Sequence, residues 1–422
     1  MITDIKIPRL CHVKQTLPAT EPIDVETVIE HEWERLSLSS QVANKRITLG
    51  FGSRGVAKID VIARKLVSMV KASNGYPFIV PAMGSHGGAT PEGQVEVLAG
   101  LGITEESVGC PIMATMDVVD MGLTEVGLPA LVDRNVAEAD GLILTNRIKV
   151  HTDFHGPHES GLLKMLAIGL GKERGASSIH QFGVQGLRDY MPVIAKHLIP
   201  KVNWIAGFGL VEDGSHAPAH LEGFSQDEVV AGEQRLLETS RSLMPRLPVD
   251  EIDVLVIDEM GKEISGAGMD TNIIGRWMIE GEPEPERPNV KAIVVLDLTA
   301  ASHGNATAYG LADFMARRLF DKIDFPITTM NLFTSGFMQR ARMPLVFETD
   351  RETIQAAIFE VFRSHLAEHE TVRMVRIRNT MQLEELWVSP NLVDELRGVE
   401  GVEGVTVEGE PAALEFRAGL LF

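Results

Sequence analysis

Cysteine is nearly absent from this chain of 422 residues: only Cys11 and Cys110 occur. Two thiols exclude a disulfide framework, and no CxxC pair is present to build a metal knuckle. Positive charge is in deficit too. Lys and Arg number 39 against 59 Asp and Glu, a formal charge of −20. Extended nucleic-acid and anionic-membrane surfaces need dense basic patches, so neither partner is expected, although a local basic pocket for a small anion stays open. No apolar run approaches bilayer-spanning length, and the opening MITDIKIPRL has no signal-peptide core. The expectation is a cytoplasmic protein, and a homo-oligomer is compatible with it. What is present is ordinary globular composition, 44% apolar and 23% charged. The length exceeds one compact core.

Strand and helix signals alternate. Arg46–Phe51 (RITLGF) reads as a buried strand, Val56–Lys71 as a helix with apolar residues at helical spacing, and Pro77–Val80 as the next strand. This βαβ unit implies a parallel sheet. Thr90-Pro91-Glu92 is a helix start. Leu142–Thr145 and Asn203–Val211 read as strands and Gln226–Met244 as an amphipathic helix. After Pro245–Val249 the alternation resumes: strands at Asp253–Asp258, Ile293–Leu298 and Ile327–Phe333, helices at Thr307–Leu319 and Arg351–Ser364. The fold class expected is α/β: two domains, 1–247 and 248–422, with largely parallel sheets and an active-site cleft between them.

Asn146–Gln181 concentrates titratable groups: His151, His155, His158 and His180 with Asp153, Glu159, Lys164 and Lys172, among apolar runs. A core element does not tolerate so many ionisable groups unpaired, which points to a bound ligand. His86 stands in GSHGG after one strand and His151 after another, where ligands bind in open parallel sheets. Gly50–Gly55 (GFGSRG) fits a glycine-rich turn. The acid expected for a dinucleotide ribose is missing, so Arg54 there suits a carboxylate or phosphate. HxxxHxxH at 151–158 has helical spacing, but Gly156-Pro157 breaks a helix. Lys164 in GLLKML is an apolar setting for a charge.

These residues, in this order, resemble the lactate racemase family, whose enzymes use a nickel-pincer nucleotide. Gly84–Gly93 looks like the family's first catalytic-histidine loop, with His86 at that position, and Ile148–His151 (IKVH) like the second. Lys164 matches the lysine that carries the cofactor covalently. His180, sixteen residues on, matches the nickel ligand, and Arg54 matches the substrate-binding arginine. Departures are Gly52-Ser53-Arg54-Gly55 around the arginine, Gly87-Gly88 after His86, and about three extra residues between His151 and Lys164.

The resemblance implies a racemase or epimerase of a small 2-hydroxy acid by reversible hydride transfer, which avoids removing a weakly acidic α proton. His86 and His151 would be the two bases, one for each enantiomer's hydroxyl. Lys164 and His180 would hold the cofactor, His180 through nickel, and Arg54 would clamp the carboxylate. His155, His158 and Glu159 are expected to shape substrate choice or support His151, not to hold the metal. Two other readings stay open: a zinc- or iron-dependent hydrolase or lyase using the His151–His180 cluster, and a non-catalytic binder of a small anion.

Overall fold

The computed structural model describes residues 4–53, 55–398 and 404–421. The chain forms two units, one of residues 18–244 and one of residues 1–17 with 245–422. The class is α/β with largely parallel sheets, as expected. The division differs from a split at 247 for the first seventeen residues. Leu10–Gln15 is a strand of the second unit, lying antiparallel between Gln382–Val388 and Val405–Ala412. Its short alternating pattern names no partner, which is why the sequence alone did not place it.

In the 18–244 unit a five-stranded sheet runs in the order Tyr76–Pro81, Arg46–Phe51, Gly141–Arg147, Trp204–Glu212, Pro218–Phe224. The first four are parallel and the last is antiparallel. The inner strands are buried on both faces, so they read as continuous apolar runs. Helix Ile59–Ala72 buries Ile59, Ile62, Ala63, Leu66, Val67 and Val70, one helical stripe. It packs with Trp33, Leu49 and Phe51 in this unit's core. Helix Pro91–Gly100 starts as its sequence requires: Thr90 Oγ1 accepts the Gly93 N–H at 3.1 Å, with Pro91 in the first turn.

In the other unit an eight-stranded sheet carries Glu251–Met260 and Asn289–Leu298 at its centre, parallel to each other. Two expectations fail here. Ile327–Phe333 is not a strand but part of helix Phe325–Ser335. Its β-branched and aromatic residues suggest a strand, yet Asp324 Oδ1 accepts the Ile327 N–H at 3.0 Å and Pro326 sits in the first turn. Thr307–Leu319 is not one helix. It divides into a tight turn at Tyr309–Leu311, a buried three-residue strand Phe314–Ala316 between two parallel neighbours, and helix Arg317–Phe320. Sheet pairing overrides helical propensity there. Both cysteines are buried free thiols, and among the described residues no helix is long and apolar enough to cross a membrane.

Removing residues 1–17 would take an interior strand from the eight-stranded sheet. Leu10, Cys11 and Val13 are 2%, 4% and 0% exposed. Their burial contributes on the order of 5 kcal/mol, which corresponds to about 10 °C or more in melting temperature. Thermal melts of the truncated and full chains check this; an unchanged transition of the 245–422 unit would refute it.

Candidate functional site

Three adjacent parallel strands, Tyr76–Pro81, Arg46–Phe51 and Gly141–Arg147, end on the same edge of the five-stranded sheet. The segments after them carry His86, Ser53 and His151. Neighbouring strands lie about 4.8 Å apart, so these segments are drawn together by the sheet itself. Gly84 N–H donates to Gly169 O at 2.9 Å, which seats the His86 loop on the turns that follow Lys164. A side chain added at Gly52 would meet Met165 Sδ at 3.1 Å and Asn146 Oδ1 at 3.3 Å, so the Ser53 segment lies against those turns as well.

His86 is exposed, and its Nδ1 makes a short hydrogen bond with Ser53 Oγ. A hydroxyl can accept or donate. With Nδ1–H donating to Ser53, the ring can take up and release a proton at Nε2 without losing this partner. The loop bends through left-handed backbone at Gly87, and Gly93 packs against it: a Cβ at Gly93 would lie 2.0 Å from Gly87 O.

His151 belongs to a loop closed at its base by paired backbone hydrogen bonds between Lys149 and Ser160. The loop is organised on Glu159, whose carboxylate has no exposure. Glu159 Oε2 accepts the His151 N–H at 2.6 Å and Oε1 the Gly156 N–H at 3.1 Å. Arg241 pairs closely with Oε1 and also donates to Gly156 O at 3.1 Å. The His151 ring lies on Phe154, with centroids 4.5 Å apart. Its Nδ1 accepts the Asp153 N–H at 3.0 Å, and its Nε2 is 2.6 Å from Lys164 Nζ. Lys164 and His151 therefore share a proton position. Lys164 ends the short helix Leu162–Lys164, and Met165–Gly169 continue as a widened π turn, a distortion frequent at functional sites.

His180 closes helix Lys172–His180. The residue keeps exposed surface, while the protein packed around the ring is what shifts its titration. Burial of the ring, and then the charge of Lys164, lower its pKa from 6.5 to about 4, with Asp153 opposing. Among the described residues its ring has no hydrogen-bond partner. It is a neutral imidazole with an uncommitted lone pair, the form a metal requires.

The other histidines turn elsewhere. His155 Nδ1 is 3.3 Å from Glu159. His158 is 1% exposed and bonds Glu233 at 2.9 Å, while Glu233 also accepts the Leu163 N–H at 2.9 Å. Both serve the loop's framework. No group of three His, Cys, Asp or Glu side chains among the described residues is arranged to hold a metal. Arg54 lies outside the described residues. A cavity of about 570 Å³ in the other unit, lined by Lys291, Asp313 and Arg342 among others, holds none of the candidates.

The sequence reading missed Ser53, the hub role of Glu159 and the turns after Lys164. Only the spacing of Ser53 beside Arg54 carried a hint of the first.

Residues 42–185 match the model of the lactate racemase N-terminal domain. Over these residues the chain is similar to that domain. The match spans every candidate named for this family. No curated protein matches the chain. Among solved structures, the lactate racemase apoprotein from Thermoanaerobacterium thermosaccharolyticum superimposes with a TM-score of 0.52 at 11% identity, over 87% of this chain and 94% of that one. At that identity the likeness establishes a shared fold.

The His180 ring should titrate near pH 4 in the folded protein and near 6.5 when unfolded. The unfolded state then takes the proton first as pH falls. The neutral ring's contribution to stability is complete above about pH 6.5 and is lost as pH falls toward 4. Histidine NMR titration gives the midpoint, and Lys164→Met should raise it. A midpoint near 6.5 would refute the lowering.

Proposed function

We propose that this protein is a racemase or epimerase of a small 2-hydroxy acid that works with a nickel-pincer nucleotide. The match of residues 42–185 to the lactate racemase N-terminal domain supports the reaction class. The observation that supports the finer reading is the contact of Lys164 Nζ with His151 Nε2 at 2.6 Å beside a neutral, uncommitted His180. The residues fit the cofactor. Lys164 offers an amine for covalent attachment, and His180 offers one nitrogen to nickel. A single protein donor suits a metal whose other donors arrive with the cofactor, whereas a zinc or iron site built from His155 and His158 would have to break their contacts with Glu159 and Glu233.

When bound, the cofactor supplies the electrophilic ring that accepts and returns the α hydrogen. The chain's residues do the rest. His86 holds or releases the hydroxyl proton of one enantiomer at Nε2, with Ser53 steadying Nδ1. His151, fixed through its backbone by Glu159, serves the other. Two bases on segments that follow two strands would take the hydroxyl protons of opposite enantiomers. Arg54 binds the carboxylate in a bidentate pair.

The test uses protein produced with the cofactor's biosynthesis, assayed in both directions with nickel content and intact mass. His86→Ala and His151→Ala should each lose about 10²–10⁴-fold in rate and keep nickel. His180→Ala should lose nickel, Lys164→Ala the added mass, and Arg54→Ala should mainly raise KM. Near-normal rates in both histidine variants would end the two-base reading. Nickel retained in His180→Ala but lost in both His155→Ala and His158→Ala would end the ligand assignment.

A further inference from the structure

Lys172 is fully buried, and none of the roles above uses it. A buried ammonium persists only where its donors are met. Lys172 donates to Pro81 O at 2.6 Å and to Gln94 Oε1 at 3.1 Å, and its charge pairs with the Asp133 carboxylate at 3.0 Å. Asp133 is buried as well. Burial raises the Asp133 pKa and lowers that of Lys172, and the attraction between the two opposes both shifts. Lys172 also holds left-handed backbone, φ 54°, a conformation its surroundings must maintain.

The connection to the site runs through Gln94, whose side chain is buried on helix Pro91–Gly100. An amide has one accepting and one donating end. Lys172 donates to Oε1, which forces Nε2 to the opposite side. There Nε2 donates to Gly84 O at 2.9 Å and to His86 O at 3.3 Å. With the amide reversed, its oxygen would face two carbonyls and its NH₂ would face an ammonium. The ammonium thus selects the one orientation of Gln94 that holds the His86 loop at both carbonyls. Pro81 O, another of its acceptors, ends the strand that leads into the same loop.

We propose that Lys172, neutralised by Asp133, is a positioning residue for His86 and acts through the orientation of Gln94. This rests on the reading of His86 as a proton-transferring base, and the test separates the two. Gln94→Glu keeps an acceptor for Lys172 but has no N–H for Gly84 and His86. The double variant Lys172→Met with Asp133→Asn removes both buried charges together, so that neither is left alone. The first readout is the His86 ring resonance in histidine-labelled apoprotein. In the parent, Ser53→Ala should shift it. In Gln94→Glu and in the double variant the protein should still melt cooperatively, and Ser53→Ala should no longer shift the resonance, because the loop has already left Ser53. The second readout is the loaded enzyme, where kcat should fall about 10²-fold with KM little changed, the mark of a misplaced base. A folded Gln94→Glu whose His86 resonance still responds to Ser53→Ala as in the parent overturns the proposal. If that coupling is lost as expected while the loaded parent racemises nothing, the positioning stands and the racemase reading falls.

Discussion

A single carboxylate without solvent governs the geometry of the candidate site. Glu159 has no water to pair with, and a buried carboxylate left unpaired costs several kcal/mol, so the donors around it point inward. The His151 and Gly156 N–H groups and the Arg241 guanidinium do so. These contacts convert an irregular loop containing Gly156-Pro157 into a closed ring of fixed shape. His151 begins that ring, so its imidazole leaves the backbone in one direction, over Phe154 and toward Lys164. The neighbouring pair His158–Glu233 does the same for the loop's exit, because Glu233 also accepts the Leu163 N–H just ahead of Lys164.

Around this frame the ionisable groups divide by solvation. Glu159, Glu233, Asp133 and Lys172 are sealed in the protein with partners that match them. His86, His151, Lys164 and His180 keep some access to solvent, and two of them share a proton position. The first set builds shape; the second can exchange protons or bind a ligand. The histidine-rich stretch thus contains two populations that look alike in composition.

That division explains which features were legible in the sequence. The βαβ pattern around Arg46–Phe51 and the cap at Thr90-Pro91 depend on local periodicity, and both are as read. The candidates His86, His151, Lys164 and His180 were named from the resemblance that their order and spacing bear to the lactate racemase family. Burial was not legible. Nothing local distinguishes His158, which is sealed against Glu233, from His151, because their ring partners Glu233 and Lys164 are 75 and 13 residues away. Phe325–Ser335 was misread for another reason: its apolar, β-branched interior outweighed the capping signals at Asp324 and Pro326. The Phe314–Ala316 strand is too short for any periodicity to show, and only its two neighbours make it a strand.

The unit formed by both ends of the chain has a bearing on biosynthesis. Leu10–Gln15 is made before its partners Gln382–Val388 and Val405–Ala412, which follow more than three hundred residues later. The intervening unit of residues 18–244 is contiguous and complete long before then. Domains fold as they emerge, so the histidine-bearing unit reaches its structure first while an apolar segment ahead of it waits unpaired. Throughout elongation that segment is a free strand edge in a crowded cell, the sort of surface that chaperones shield.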